Sequence, residues 1–424
     1  MTMVSRRNVL IAGGLVAAAA VMARPNNRGG PYPPYFAKLN DDLRRQGIDR
    51  PVLVIDLDRL DRNIDRLARS VATVSGRTYR IVVKSLPSPG LVDYVAKRAS
   101  TRALMCFHRP FLEAMAALRP DSDILLGKPL PVSSMQRIYN GNRGAFDPVT
   151  QLQWLIDTPD RLDQYRAVAR AQNLRLRINL EIDVGLRRGG FDDPQALAPV
   201  LAQIAGDPKH LAFAGFMGYD AHLMGLPGFL AQSELPKVKA RYAANVEFLR
   251  ARFPQLMEGS LTFNGAGSPT FRYYESDPLL NDVAAGTCLM KPSHYDIDTL
   301  SDFEPSAFIA TPILKRLPGA RLPALGWTAP FVKAWDPNQE QMYFAYGGNW
   351  LAECEAPPGM SPHFAYTSSN QQGYAASDSV PARVDDFLFL RPTQSEAVLL
   401  QFGDLVALRG GRIEARWPVI PVGV

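Results

Sequence analysis

Between residues 51 and 265, short apolar runs rich in β-branched residues alternate with stretches that place apolar residues at helical spacing. This alternation leaves the chain few architectures to adopt. The runs fall at 51–56 (PVLVID), 79–84 (YRIVVK), 103–107 (ALMCF), 123–127 (DILLG), 153–157 (QWLID), 176–183 (LRINLEID), 212–219 (AFAGFMGY) and 260–265 (SLTFNG). Between them, Leu60, Ile64, Leu67 and Val71 mark one face of a helix over 57–71, and a second helical pattern covers 162–171. Continuous apolar strands alternating with amphipathic helices are the pattern of a parallel α/β sheet. Eight such units over about 220 residues match a TIM (β/α)8 barrel. An open doubly wound sheet is the alternative.

Helical periodicity fades after residue 290. Strand-like pieces follow at 307–311, 342–346, 386–390, 396–402, 404–408 and 411–417, the last two flanking Gly410-Gly411, a two-residue hairpin signal. The expected organisation is therefore a barrel over 45–290 and a β-rich domain over 291–424, preceded by a targeting segment (1–23) and a linker (24–44). Residues 1–23 begin with Arg6-Arg7, continue with an apolar stretch and end in Val21-Met22-Ala23. That is the layout of an export signal with a small-x-small cleavage site, and Ser5-Arg6-Arg7 resembles the twin-arginine type. The apolar stretch is short for a membrane span, so a periplasmic or exported protein without a stable span after cleavage is expected. The net charge of +6 includes no long basic run, which argues against nucleic-acid binding. Three cysteines without CxxC spacing argue against a disulfide framework, and Cys106 and Cys288 sit in apolar runs that read as core.

In a barrel of this kind, chemistry collects at the C-terminal ends of the strands. Lys84 ends the second run; beside apolar walls, desolvation would favour its neutral, nucleophilic amine, although from this position alone a solvated surface lysine is the simpler reading. Asp183 and Arg188 follow the sixth run, framed by glycines that suggest a shaped turn, with an ion pair closing a βα loop as the alternative. Tyr219 and His222 follow the seventh. The eighth ends in Asn264-Gly265-Ala266-Gly267-Ser268-Pro269-Thr270, small residues and hydroxyls able to cradle a phosphate.

Taken together, these residues resemble the fold-type III pyridoxal 5′-phosphate (PLP) enzymes, and within them the D-threonine aldolase and D-serine dehydratase group. The matching pieces are Pro51 to Asp58 with Asn63, Val83-Lys84-Ser85, Glu181 to Gly190, Gly218 to His222 and Asn264 to Thr270, with a weaker echo in Phe402-Gly403-Asp404 and Trp417-Pro418-Val419. By resemblance, Lys84 holds the cofactor aldehyde and later serves as a base. Arg188 bonds the cofactor's phenolic oxygen, Gly265, Gly267, Ser268 and Thr270 take the phosphate, and Tyr219 and His222 line the ring. Lys84 and His222 are the catalytic candidates. The resemblance also implies a homodimer and a small amino-acid substrate, with PLP withdrawing electrons from one bond at Cα.

Two departures matter. The lyase group carries a divalent metal on a His and a Cys or Asp two residues later. The matching stretch here, Arg391 to Glu396, has Gln394 and Glu396 in those places, and Ser369 to Gly373 lacks a further His. An amide suits Zn²⁺ or Mn²⁺ worse than an imidazole does. The metal site is therefore expected to be lost or altered, with Glu396 the one residual candidate ligand. Second, Ala284 stands where alanine racemases carry an Arg against the pyridine nitrogen. The expected function is a PLP-dependent lyase acting at Cα of D-amino acids. The alternatives are a racemase or epimerase, with Tyr295 as a candidate second base, a non-catalytic PLP-binding protein, and a barrel hydrolase without PLP.

Overall fold

A computed structural model describes residues 24–141, 144–319, 324–367 and 369–420. The export-signal expectation for 1–23 lies outside the described residues. The chain divides into two compact units, one formed by Ile55–Ala307 with Gln394–Ala407 and Ala415 onward, the other by residues up to Val54 with Phe308–Thr393 and Leu408–Glu414. The boundary expected at 290 is thus replaced by an interleaved division, in which 394–407 group with the barrel.

In chain order, β1 (Val52–Asp56) precedes eight parallel strands that close into a barrel: β2 (Thr78–Val82), β3 (Ala103–Cys106), β4 (Asp123–Leu126), β5 (Leu152–Ile156), β6 (Leu176–Glu181), β7 (Leu211–Gly218), β8 (Thr262–Gly265) and β9 (Asp282–Ala285). The TIM-barrel expectation holds, but the strand count shifts by one. The run at 51–56 is not a barrel strand, and the eighth strand is Asp-Val-Ala-Ala at 282–285. Burial and a following amphipathic helix make β1 look like a barrel strand, and only its pairing distinguishes it. β9 escapes notice because it is four residues long with two alanines.

Helix starts in the barrel follow local chemistry. Asp56 accepts from Arg59 N, Thr158 from Arg161 N and Asp193 from Ala196 N, and proline occupies the first helical position at Pro89, Pro159 and Pro194. These residues satisfy or remove N–H groups that the helix cannot pair internally. Between β6 and β7 the register shifts at Ile178/Asn179. Gly215 sits there at φ +141°, and a Cβ at that position would lie 1.9 Å from Thr262 O. Only glycine allows β7 and β8 to approach so closely.

The floor of the barrel is polar rather than aliphatic. Buried Arg80 on β2 forks onto Asp282 of β9 (Nε–Oδ1 2.9 Å, Nη2–Oδ2 2.8 Å) and reaches Asp123 of β4 at 2.9 Å. Asn264 of β8 donates to Asp282 at 2.6 Å, and Gln153 of β5 donates to Asp123 and Thr262. These bonds tie the closing strands β8, β9 and β2 together.

A nine-stranded sheet follows, built from β10 (Ala307–Pro318), β11 (Gln341–Tyr346), β12 (Ala352–Ala356), β13 (Ser361–Pro362), β14 (Gln371–Ala376), β15 (Phe387–Pro392), β16 (Asp404–Arg409) and β17 (Arg412–Pro418) together with β1. Its main path runs β13-β14-β11-β10-β1-β16-β17, with β15 also paired to β10 and β12. Gly410 and Gly411, at φ +55° and +83°, make the expected β16–β17 hairpin. Two expectations fail. Residues 396–402 form a short helix (Glu396–Leu399) and a 3-10 turn, burying Val398, Leu399 and Phe402 at helical spacing. The expected linker over 24–44 ends in a helix, Pro34–Arg45, with Phe36, Leu39 and Leu43 buried.

Candidate active site

Two cavities open at opposite ends of the barrel. The larger, about 1930 Å³ including the open solvent above it, lies over the strand starts, among Arg80, Asp123, Arg177 and Asp282. Their charges are already consumed by each other. The smaller, about 590 Å³, lies over the strand ends, where barrel loops place reactive groups, and it contains Lys84.

Lys84 stands on a 3-10 turn, Val83–Ser85, directly after β2, with both neighbours buried. Its Nζ is 2.7 Å from Glu396 Oε1 and 4.7 Å from the centroid of the Phe107 ring. Phe107 follows β3 and packs where a Cβ on Gly127 would otherwise sit. The two side chains of the ion pair are 36% and 42% exposed, so water reaches this end of the cavity.

Arg188 comes from the loop after β6. Its guanidinium lies 5.2 Å over the Tyr219 ring and 3.9 Å from Glu181 Oε1. Asp183 shapes this loop by accepting from Gly185 N and Arg187 N. Burial pushes the Glu181 carboxyl up to about 7; Arg188 opposes the shift, and the charges of Asp157 and Asp183 add to it. Tyr219, after β7, packs on Gly267, where a Cβ would come within 2.7 Å of the ring. Its phenol is raised by burial, then by Tyr295 and Asp220.

The turn after β8 brings Ala266, Gly267 and Ser268 to the cavity, with Ala266 in the left-handed region at φ +62°. Ser268 Oγ accepts from Gly286 N and Cys288 N, both at 3.1 Å. Across the same corner, Thr287 Oγ1 donates to Ser85 Oγ at 2.8 Å. Hydroxyls and amide N–H groups from the loops after β2, β8 and β9 thus converge on one corner. Tyr295 also lines the cavity, its phenol raised by burial and only partly relieved by a hydrogen bond with Thr287.

Lys84, Arg188, Tyr219, Gly267 and Ser268 therefore share one cavity, whereas His222, Gly265 and Thr270 are not among its lining residues. His222 lies against Gly185, and its two buried ring nitrogens find no hydrogen-bond partner among the described residues. Gly265 faces Leu280. Thr270 spends its hydroxyl on buried Asp220 at 2.6 Å, which also accepts from Tyr274 at 2.7 Å. Asp220 is a turn anchor that the sequence passes over, because a charge inside Gly-Tyr-Asp-Ala-His reads as solvated. Phe107 and Gly127 were findable, since each follows directly on a barrel strand, whereas Thr287 follows β9, which pattern alone does not reveal.

Among the described residues no group of three or more His, Cys, Asp or Glu is placed to hold a metal ion. Glu396, the residual candidate ligand, faces the ammonium of Lys84. For PLP, the residues present fit. One amine, one cation stacked on an aromatic ring, and a corner of hydroxyl and N–H donors meet the needs of an aldehyde, a ring oxygen and a phosphate. Close packing at Gly267 and Gly286, where Cβ atoms would collide with Tyr219 and with Val82 O, keeps these groups near one another.

Residues 55–293 match the family model described as alanine racemase, N-terminal domain. A 3-hydroxy-D-aspartate aldolase from Paracoccus denitrificans (strain Pd 1222) is 23% identical over 391 residues, covering 88% of this chain and 92% of that protein. Among solved structures, D-threonine aldolase from Filomicrobium marinum superposes with a TM-score of 0.71 at 16% identity, over 88% of this chain and 95% of the other. D-threo-3-hydroxyaspartate dehydratase from Delftia sp. HT23 gives 0.66 at 16% identity, over 88% and 97%. Alanine racemase from Bacillus anthracis gives 0.64 at 12%, over 88% and 98%. The family match spans more than half of the chain and coincides with the barrel that carries the lysine, so this chain belongs to the alanine racemase N-terminal-domain family of fold-type III PLP enzymes.

Proposed function

We propose that this protein is a PLP-dependent lyase acting at Cα of D-amino acids, with β-hydroxy D-amino acids as the substrate class. The observation that carries the reading is the placement of Lys84 in one cavity with the Ser268 corner and the Arg188–Tyr219 pair. Lys84 would hold the cofactor aldehyde, Arg188 its phenolic oxygen, and the turn at Gly267 and Ser268, whose hydroxyl oxygen is oriented by the N–H groups of Gly286 and Cys288, its phosphate. When bound, the cofactor withdraws electrons from a bond at Cα, and the protein selects which bond. Phe107 and Tyr219 wall the cavity. Glu396, 2.7 Å from Nζ, is positioned to hold a proton beside Lys84. The 3-hydroxy-D-aspartate aldolase relative supports a β-hydroxy substrate. An amide at Gln394 and a carboxylate already paired with an ammonium make a poor site for Zn²⁺ or Mn²⁺, which supports metal-independent turnover.

The purified protein should show visible absorbance from bound cofactor, and borohydride reduction followed by peptide mass spectrometry should find it on Lys84. Lys84→Ala should abolish both signals. Incubation with D-threonine, D-serine and 3-hydroxy-D-aspartate, with and without chelator, separates aldol cleavage (glycine or its analogue plus an aldehyde) from dehydration (a keto acid plus ammonia). A colourless protein that borohydride leaves unmodified at Lys84 would sink the proposal. Tyr295 in the same cavity favours one second reading, a racemase with Lys84 and Tyr295 as its two bases. That reading requires solvent deuterium at Cα with inversion, and no carbon–carbon or carbon–oxygen cleavage.

A further inference from the structure

Lys84 Nζ has two close neighbours, and both suit cations and hydrogen-bond donors. Glu396 Oε1 stands 2.7 Å away and the centroid of the Phe107 ring 4.7 Å. The face of an aromatic ring carries partial negative charge, so it attracts an ammonium and repels an anion. Phe107 keeps this place because Gly127 leaves room for it: a Cβ there would lie 2.4 Å from two carbons of the ring. Glu396 is held at the cavity by the short helix Glu396–Leu399, which buries Val398 and Leu399. The charged residues lining the cavity are Lys84 and Arg188 on the positive side and Glu396 on the negative. Arg188 lies over Tyr219 and toward Glu181. His108 and Lys128 follow Phe107 and Gly127 in the chain, but neither lines the cavity, and Lys128 is exposed. Among the described residues, the cavity therefore holds no further cation to receive an additional anion beside Lys84.

An amino acid joins the cofactor through its own nitrogen in place of Nζ, so its side chain begins close to where Nζ stands. A β-hydroxyl there can donate to Glu396, as the ammonium does. A β-carboxylate there meets a like charge and a ring face, with no counter-charge to offset its lost hydration. Resting on Lys84 as the cofactor's anchor, we infer that Glu396 is the specificity-determining residue of this site. It selects β-hydroxy D-amino acids with neutral side chains and rejects those with a second carboxylate, 3-hydroxy-D-aspartate among them. The α-carboxylate is common to both groups and cancels from the comparison. Discrimination of this kind comes from an unfavourable contact with the wrong substrate as much as from a favourable one with the right substrate. Because the pair of side chains is partly open to water, screening holds the effect to about ten-fold in affinity.

The test is equilibrium titration of the cofactor-loaded full chain with D-asparagine and with D-aspartate, alike in size and different in charge, followed through the change in cofactor absorbance. Wild type should bind D-asparagine about ten-fold more tightly. Glu396→Gln should bring the two within about two-fold, by tightening D-aspartate, because the amide keeps the shape and removes the charge. Should that variant lose its cofactor, salt takes its place. At about 1 M, where the screening length is about 3 Å, the wild-type gap should shrink to about three-fold or less. Equal or tighter binding of D-aspartate by wild type overturns the inference, and so does a gap that Glu396→Gln or high salt leaves undiminished. A colourless protein ends the cofactor reading, and this inference with it, before any amino acid is added. A coloured protein that accepts D-aspartate as readily as D-asparagine ends this inference alone.

Discussion

Glu181, beside Arg188, and Glu396, which lines the Lys84 cavity, are two carboxylates in different surroundings, and their differences are testable. Glu181 is buried, and its carboxyl is pushed from 4.5 up to about 7 by that burial, against the pull of Arg188. A carboxyl that titrates higher folded than unfolded takes up a proton on folding. Its contribution is complete below about pH 4.5 and is lost as pH rises through 7, by at most about 3 kcal/mol. Melting temperatures of wild type should therefore decline over that window, and Glu181→Gln should flatten the decline; parallel profiles would show that Glu181 is ionised throughout. Glu396 is half in water, and its pair with Lys84 contributes little to stability, about 0–1 kcal/mol. Glu396→Gln should leave the melting temperature within that margin yet slow turnover about a hundredfold, the scale of a lost proton-transfer group. Unchanged turnover would reduce Glu396 to a counter-ion.

At the scale of elements, the turn after β8 is held from below. Asp220, fully buried after β7, accepts from Thr270 and from Tyr274, fixing where the turn leaves the strand and where the following 3-10 helix (Phe271–Tyr274) begins. Thr270→Val removes one of two hydroxyl donors from a buried carboxylate and should cost about 1–3 kcal/mol in urea unfolding. Cofactor content of the folded fraction should stay unchanged, whereas a hydroxyl that held phosphate would lower it. The sequence singled out this turn as a candidate site but could not divide its labour. Ser268 and Thr270 are both hydroxyls two residues apart, and which one faces the cavity depends on the left-handed backbone at Ala266 and on the position of Asp220. The helix at Glu396–Leu399 teaches the same lesson. Its apolar run fits strand or helix equally, and packing decided.

For the whole molecule, closure of the barrel rests on few residues. Arg80 is enclosed by Asp282, Asp123 and two carbonyl oxygens, bridging strands that meet from opposite ends of the sequence. Arg80→Met would leave buried carboxylates without their counter-charge and should destabilise the protein by about 3–5 kcal/mol, seen as a lower denaturant midpoint. A midpoint within error of wild type would mean that the floor re-pairs through Arg177 and the neighbouring amides.

Local pattern alone determined that parallel strands and helices alternate, that a lysine ends one strand and that a small-residue turn ends another. Those features are written in nearest-neighbour chemistry: hydrophobic period, caps, prolines and glycines. Pattern could not determine which eight strands close. β1 and β9 differ in pairing rather than in composition, and pairing is a long-range choice made by contacts such as Arg80–Asp282, 202 residues apart. Nor could it foresee that Glu396 meets Lys84, or that His222 turns from the cavity toward Gly185. The direction of a side chain at a strand end depends on what the rest of the chain packs against it, and only the folded structure contains that information.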